Sequence, residues 1–148
     1  MSAEFFSLKG PRDMLEKAKR ERLRLAELPT VDNAFNFFVT ARHIVDYAKK
    51  ASSIKQVLIN NFERDDDIKA LCDIGDKGKH LTLTRNDRID PVAQRKAVGF
   101  FNAPFGTVPF GHVTMIWILE IDGKRVDLFE FADRVIEKWE KFLSENEQ

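Results

Sequence analysis

Apolar residues recur at intervals of three and four along much of this chain, which is the period of an α-helix. The clearest case runs from Val31 to Ser52. There Ala34, Phe37, Phe38, Ala41, Ile44, Val45, Ala48 and Ala51 form one broad apolar face. Thr30 or Asp32 can cap its start. Before it, Gly10-Pro11 breaks the chain, and a helix is predicted from about Arg12 to Leu28 with a thin stripe of Leu15, Ala18, Leu25 and Leu28. Pro29 ends that helix. After it, Ile54 to Phe62 is ambiguous. Arg64-Asp65-Asp66-Asp67 then puts acids in the first turn of a third helix, where the dipole favours negative charge. That helix is expected to end near Gly75 to His80. A last helix follows Asp127, which with Glu130 makes a variant of the capping box. Its apolar face is Leu128, Phe131, Ala132, Val135, Trp139, Phe142 and Leu143. Phe38 and Trp139, at the centres of their stripes, are expected in the core.

The period shortens to two in Leu81-Thr82-Leu83-Thr84-Arg85 and again from Val113 to Ile121. In the second run Ile116 and Ile118 make both faces apolar, so cover on both sides is expected. Asp122-Gly123 signals a tight turn, with a short return strand from Lys124 to Val126. Asp90 to Gly111, with Pro91, Pro104 and Pro109, reads as a long irregular segment carrying an echo, Pro104-Phe105-Gly106 and Pro109-Phe110-Gly111. Phe100 and Phe101 are expected to anchor inside. Phe105 and Phe110 are expected at partly exposed turn tips, where they could meet a partner. The fold class is therefore mainly α: a bundle of about four helices with a small antiparallel β-hairpin before the last helix, a single domain over residues 1–148.

Composition narrows the function classes. The 24 basic residues are balanced by 24 acidic ones, whereas a protein that coats nucleic acid carries a positive excess. Lys17, Lys19, Arg20, Arg22 and Arg24 cluster near the start, but Asp13, Glu16, Glu21 and Glu27 are interleaved with them, which predicts a solvated helix face. Cys72 is the only cysteine, so an internal disulfide and a cysteine-based metal site are excluded. It lies in a stripe with Ile68 and Leu71 and reads as a small buried apolar residue. No run approaches the roughly 18 apolar residues of a membrane span, and the opening residues lack the pattern of a signal peptide. A cytoplasmic protein without membrane contact is expected.

The densest chemistry is Asp73-Ile74-Gly75-Asp76-Lys77-Gly78-Lys79-His80. On a helix, Asp73, Asp76 and His80 share one face. A carboxylate there can hold the imidazole tautomer and raise its pKa toward neutrality. His80, Lys79, Asp73 and Asp76 are thus the candidate catalytic set. Arg42, His43 and Asp46 form a candidate binding set on the polar side of the second helix, joined by Phe105 and Phe110. His112 is expected to be structural. The spacing of His43, His80 and His112 matches no metal-ligand signature, so no metal and no cofactor are expected.

Thr40-Ala41-Arg42-His43-Ile44-Val45-Asp46 and Leu71-Cys72-Asp73-Ile74-Gly75-Asp76-Lys77-Gly78-Lys79-His80-Leu81 together resemble elements of a group of bacterial and phage proteins. The likeness covers roughly residues 31–85. Lys79-His80 at a helix end also resembles HEPN-type domains, helical bundles of which many are dimeric endoribonucleases of toxin–antitoxin and phage-defence systems. Their hallmark is an arginine four to six residues before the histidine. This chain departs from it, since no arginine lies between Arg64 and His80. Lysine at position 79 does not replace the planar guanidinium fork.

Two functions follow from the resemblance. The preferred one is a non-enzymatic interaction or accessory protein of a bacterial or phage defence or counter-defence system. It would be a homodimer or bind a protein partner through the Phe-rich segment or the outer face of the second helix. The other is a metal-independent endoribonuclease on RNA. There His80 would serve as general acid or base, Lys79 would stabilise phosphate charge, and Asp73 or Asp76 would orient the imidazole.

Overall fold

The computed structural model describes residues 5–80, 92–99 and 113–147, with side chains for 5–77 and 117–147. Its elements are α1 (Pro11–Glu27), α2 (Val31–Ala51), α3 (Gln56–Phe62), α4 (Asp66–His80), β1 (Val92–Gly99), β2 (Val113–Ile121), β3 (Lys124–Asp127) and α5 (Leu128–Asn146). The fold is mainly helical with antiparallel strands before the last helix, as the periodicities predict.

Caps set the element ends. Asp13 accepts from the Gly10 amide at 3.1 Å and the Lys9 amide at 2.9 Å, fixing the entry to α1. Of the two candidate caps for α2 it is Thr30 that acts, its hydroxyl accepting from the Asn33 amide at 3.2 Å. Asp65 accepts from the Asp67 and Ile68 amides ahead of α4. Asp127 accepts from the Phe129 and Glu130 amides at 2.8 and 3.1 Å to start α5. Asp122 and Gly123 both have positive φ, +53° and +73°, which is the geometry a two-residue β2–β3 turn demands.

The core lies where the stripes meet. Trp139 and Phe37 have no exposed surface and Phe38 keeps only 6%, so the predicted centres of two helix faces are interior. Phe62 joins them from α3, stacked on Phe142 at 4.2 Å and edge-on to Trp139 at 4.6 Å. That contact explains why the ambiguous Ile54–Phe62 stretch is helical: Phe62 docks on α5 and Ile59 is buried in the core, which supports a seven-residue helix that would not be stable alone. Cys72 is buried.

Three expectations change. Asp90 to Gly111 is not irregular throughout. Val92–Gly99 is a strand paired antiparallel with β2, from Val92 opposite Glu120 to Gly99 opposite Val113, so the hairpin is part of a three-stranded sheet ordered β1-β2-β3. Val-Ala-Gln-Arg-Lys-Ala-Val-Gly has weak strand propensity, and the ladder to β2 decides its state. Second, β2 is not equally covered on both faces: Trp117 and Leu119 are buried, whereas Ile118 and Glu120 are half-exposed and Glu120 reaches Arg125 at 3.6 Å. Third, the charged side of α1 is not simply a solvated face. Glu21 is buried, held by Lys17 at 3.0 Å and Arg24 at 2.8 Å, and Lys17 also donates to Thr40 of α2. Lys19 bonds Glu140 and Arg22 bonds Asp133, both on α5. Four of the five clustered bases are thus engaged within the fold rather than offered to a polyanion.

Leu81 to Arg85, His112, and Phe100, Phe101, Phe105 and Phe110 lie outside the described residues. No described helix is long and apolar enough to cross a membrane.

Candidate functional site

Two regions of α2 carry the candidate chemistry. The first is its seam with α4. Gly75 lets the two helices touch: a Cβ built there would lie 2.5 Å from the Arg42 Cβ and 3.2 Å from the Phe38 carbonyl oxygen. Close approach brings the Arg42 guanidinium to Asp76, with its Nε 3.0 Å from an Asp76 carboxylate oxygen, while its Nη1 lies 3.4 Å from Asp46 one turn along α2. Only 19% of the Arg42 side chain is exposed. Burial works against its charge, but Cys72, Asp76 and Asp46 around it leave its pKa raised.

The binding and catalytic sets read from the sequence therefore meet at one residue. Arg42 and Asp46 pair with each other, and Arg42 pairs across to Asp76. His43, beside Arg42 on α2, is half-buried. Asp73 is buried at 7% exposure, one turn before Asp76. The α4 backbone stays helical through Lys79 and His80, whose side chains are outside the described set. On that helix His80 falls on the Asp73–Asp76 stripe, one turn beyond Asp76.

Similar networks close the other seams. Asp67 of α4 receives Arg134 of α5 at 3.0 Å and Lys138 at 2.9 Å, and Arg12 and Lys19 of α1 converge on Glu140 of α5. Arg42 is thus one of several cations that tie one helix to the next.

The second region is the first half of α2. Val31, Ala34, Phe35, Phe38 and Val39 wall an open apolar pocket of about 160 Å³, completed by Ile74 of α4, Trp117 and Leu119 of β2, and Leu128 of α5. Its floor is core: Phe38, Trp117, Leu119 and Leu128 are buried. Its rim is not, since Phe35 is 45% and Val31 64% exposed. Among the described residues, no ionisable side chain lines it. The sequence does carry a signal for this pocket. Val31, Phe35 and Val39 stand at i, i+4 and i+8, a second apolar stripe beside the main face of α2. Its opening comes from β2 and α5, which no local pattern reveals.

Comparison with protein-family models, curated proteins and solved structures gave no match.

Proposed function

We propose that the chain is a non-enzymatic interaction protein that takes one aromatic side chain of a protein partner into the α2–β2–α5 pocket. The carrying observation is the pocket: open, lined by nine residues with no ionisable group, and continued outward by exposed Val31 and Phe35. A cavity of about 150 Å³ with such a lining binds benzene, so about 160 Å³ suits a single ring. An ionic or phosphate-bearing ligand would leave its charge uncompensated there. The apolar rim exceeds what a free ring covers, which favours a ring carried on an apolar segment. A defence or counter-defence setting belongs to the same proposal and rests on the resemblance of residues 31–85 alone.

The test uses toluene as a stand-in for the ring. Trp117 lines the pocket and Trp139 does not, and they are the only two tryptophans. Toluene should move the indole N–H resonance of Trp117 and spare that of Trp139. An unmoved Trp117 resonance at saturating toluene would rule the pocket out as a ring site.

The endoribonuclease reading draws on one observation. Arg42 brings to α4, one turn before His80, the guanidinium that the α4 sequence lacks. Against it, that guanidinium already faces two carboxylates, whose charge opposes an incoming phosphate. Incubating the protein with structured and unstructured RNA, with and without chelator, decides: cleavage lost in both His80→Ala and Arg42→Met would establish it, and intact RNA throughout would retire it.

A further inference from the structure

Resting on the pocket reading above, we infer that the partner is a second copy of this chain, whose Phe6 enters the pocket in a head-to-tail contact. Phe6 is the most exposed large apolar residue described, at 85%, and Phe5 beside it is 62% exposed. The pair is presented rather than loose. Phe5 and Leu8 close a four-residue turn, with the Leu8 amide donating to the Phe5 carbonyl at 2.9 Å, and Leu8 packs against the core. The two rings stand edge to face at 4.8 Å.

The turn also carries a conformational cost. Phe6 has φ +53° while Ser7 does not have positive φ, so Phe6 occupies the turn position that glycine ordinarily fills. A bulky residue in the left-handed region is disfavoured. Here that conformation projects an aromatic ring away from the fold with no burial to offset it inside the monomer.

Knob and pocket lie at opposite ends of the bundle. Gly10, just after the turn, approaches the Ala51 carbonyl at the last residue of α2, with a Cβ position 3.7 Å from it. The pocket uses Val31 to Val39 at the other end of that 21-residue helix. At a rise of 1.5 Å per residue, Ala51 lies twelve steps, about 18 Å, along the helix from Val39. One chain therefore offers a ring at one end and a ring-sized apolar pocket at the other. Such a pair is satisfied between copies, not within one, and a heterologous contact of this kind builds rings or filaments. Phe5 would lie against Val31 and Phe35 on the rim as Phe6 enters.

Sedimentation equilibrium of the full chain up to millimolar concentration, read together with the Trp117 indole resonance, tests this. Expected is a weight-average mass that climbs above the monomer, with Trp117 shifting in step. Phe6→Ser, at a site too exposed to matter for folding, should weaken association at least about tenfold yet leave the toluene-induced Trp117 shift intact. Toluene should dissociate the wild-type assembly. A chain that binds toluene but stays monomeric, or one whose Phe6→Ser variant associates as the wild type does, overturns the self-partner inference and leaves the pocket standing. Failure to bind toluene removes both. A foreign partner that shifts Trp117 while the wild type stays monomeric would replace the second copy as occupant.

Discussion

The two halves of α2 meet their neighbours in opposite ways. Ala41 to Ala51 is closed by close approach and ion pairing: Gly75 admits Arg42, Asp76 and Asp46 flank the guanidinium, and Lys49 reaches Glu63, just past the end of α3, at 2.6 Å. Val31 to Val39 is left open over Trp117, Leu119 and Leu128. Charged groups fill the closed half although it is half-buried, and apolar groups line the open half although it faces solvent. A partly buried charge must be paired where it stands, so a polar seam completes itself within one chain. An open apolar surface is completed only by something that covers it. Density of titratable residues therefore marks the part of this helix that is already satisfied, and the functional surface is argued from the part without them.

The contrast can be broken most directly at Phe38, where the halves join. Its ring is buried among Phe37 and Phe131 at 5.2 and 6.3 Å, so Phe38→Ala should cost about 3–5 kcal/mol. Denaturant unfolding measures this, and a cost near that of an exposed residue would mean that the pocket has no solid floor. Gly75→Ala should destabilise by about 1–3 kcal/mol, because the added methyl meets the Arg42 Cβ. Alanine's better helix propensity, worth up to about 1 kcal/mol, works the other way, so a stabilised variant would show that the seam is not tightly closed. Arg42→Met keeps the aliphatic stem and removes the charge. It should cost about 1 kcal/mol, since Asp76 and Asp46 remain 40% and 36% exposed and can be hydrated. A loss of several kcal/mol would mean that the seam depends on the ion pair rather than on close packing.

Acid should weaken the seams and spare the pocket. Hydrogen bonds from Arg134 are the largest influence holding the Asp67 carboxyl below its usual range; burial pushes the other way, and together with the Lys138 contacts Arg134 overcomes it. A carboxylate with a depressed folded pKa contributes fully above its unfolded value, about 3.9, and loses that contribution as pH falls through the folded one. Melting temperature should therefore drop below about pH 4, less steeply in Asp67→Asn, by a fraction of the Arg42 effect because the cations are partly exposed and screened. Equal slopes in variant and wild type would sever the link. The smallest effect is expected at the rim. Phe35→Ser should change stability by less than about 0.5 kcal/mol while weakening the toluene-induced shift of Trp117. Stability lost without any change in ring binding would turn the rim into ordinary core.

Much of the fold is legible in local pattern. The faces of α2, α4 and α5, the Thr30 and Asp127 caps and the Asp122-Gly123 turn each follow from residue type and spacing, because they depend on neighbours within about one turn. The short α3 and the strand β1 are not legible this way. One depends on Phe62 finding Trp139 and Phe142, the other on the β2 ladder. The sequence groups Asp73, Asp76, Lys79 and His80 correctly onto one helix, and Arg42, His43 and Asp46 onto another. That Arg42 crosses to Asp76 is a fact about two helices brought together at Gly75.

Sequence by itself determined the helical class, the helix faces and the charge balance of this protein, since periodicity and composition act through contacts a few residues apart. Tertiary structure alone decided which charges cancel and which apolar stripe stays open. Arg42 and Asp76 are 34 residues apart, and Phe35 and Trp117 are 82. Whether such residues meet is set by packing of whole elements, which no local pattern encodes.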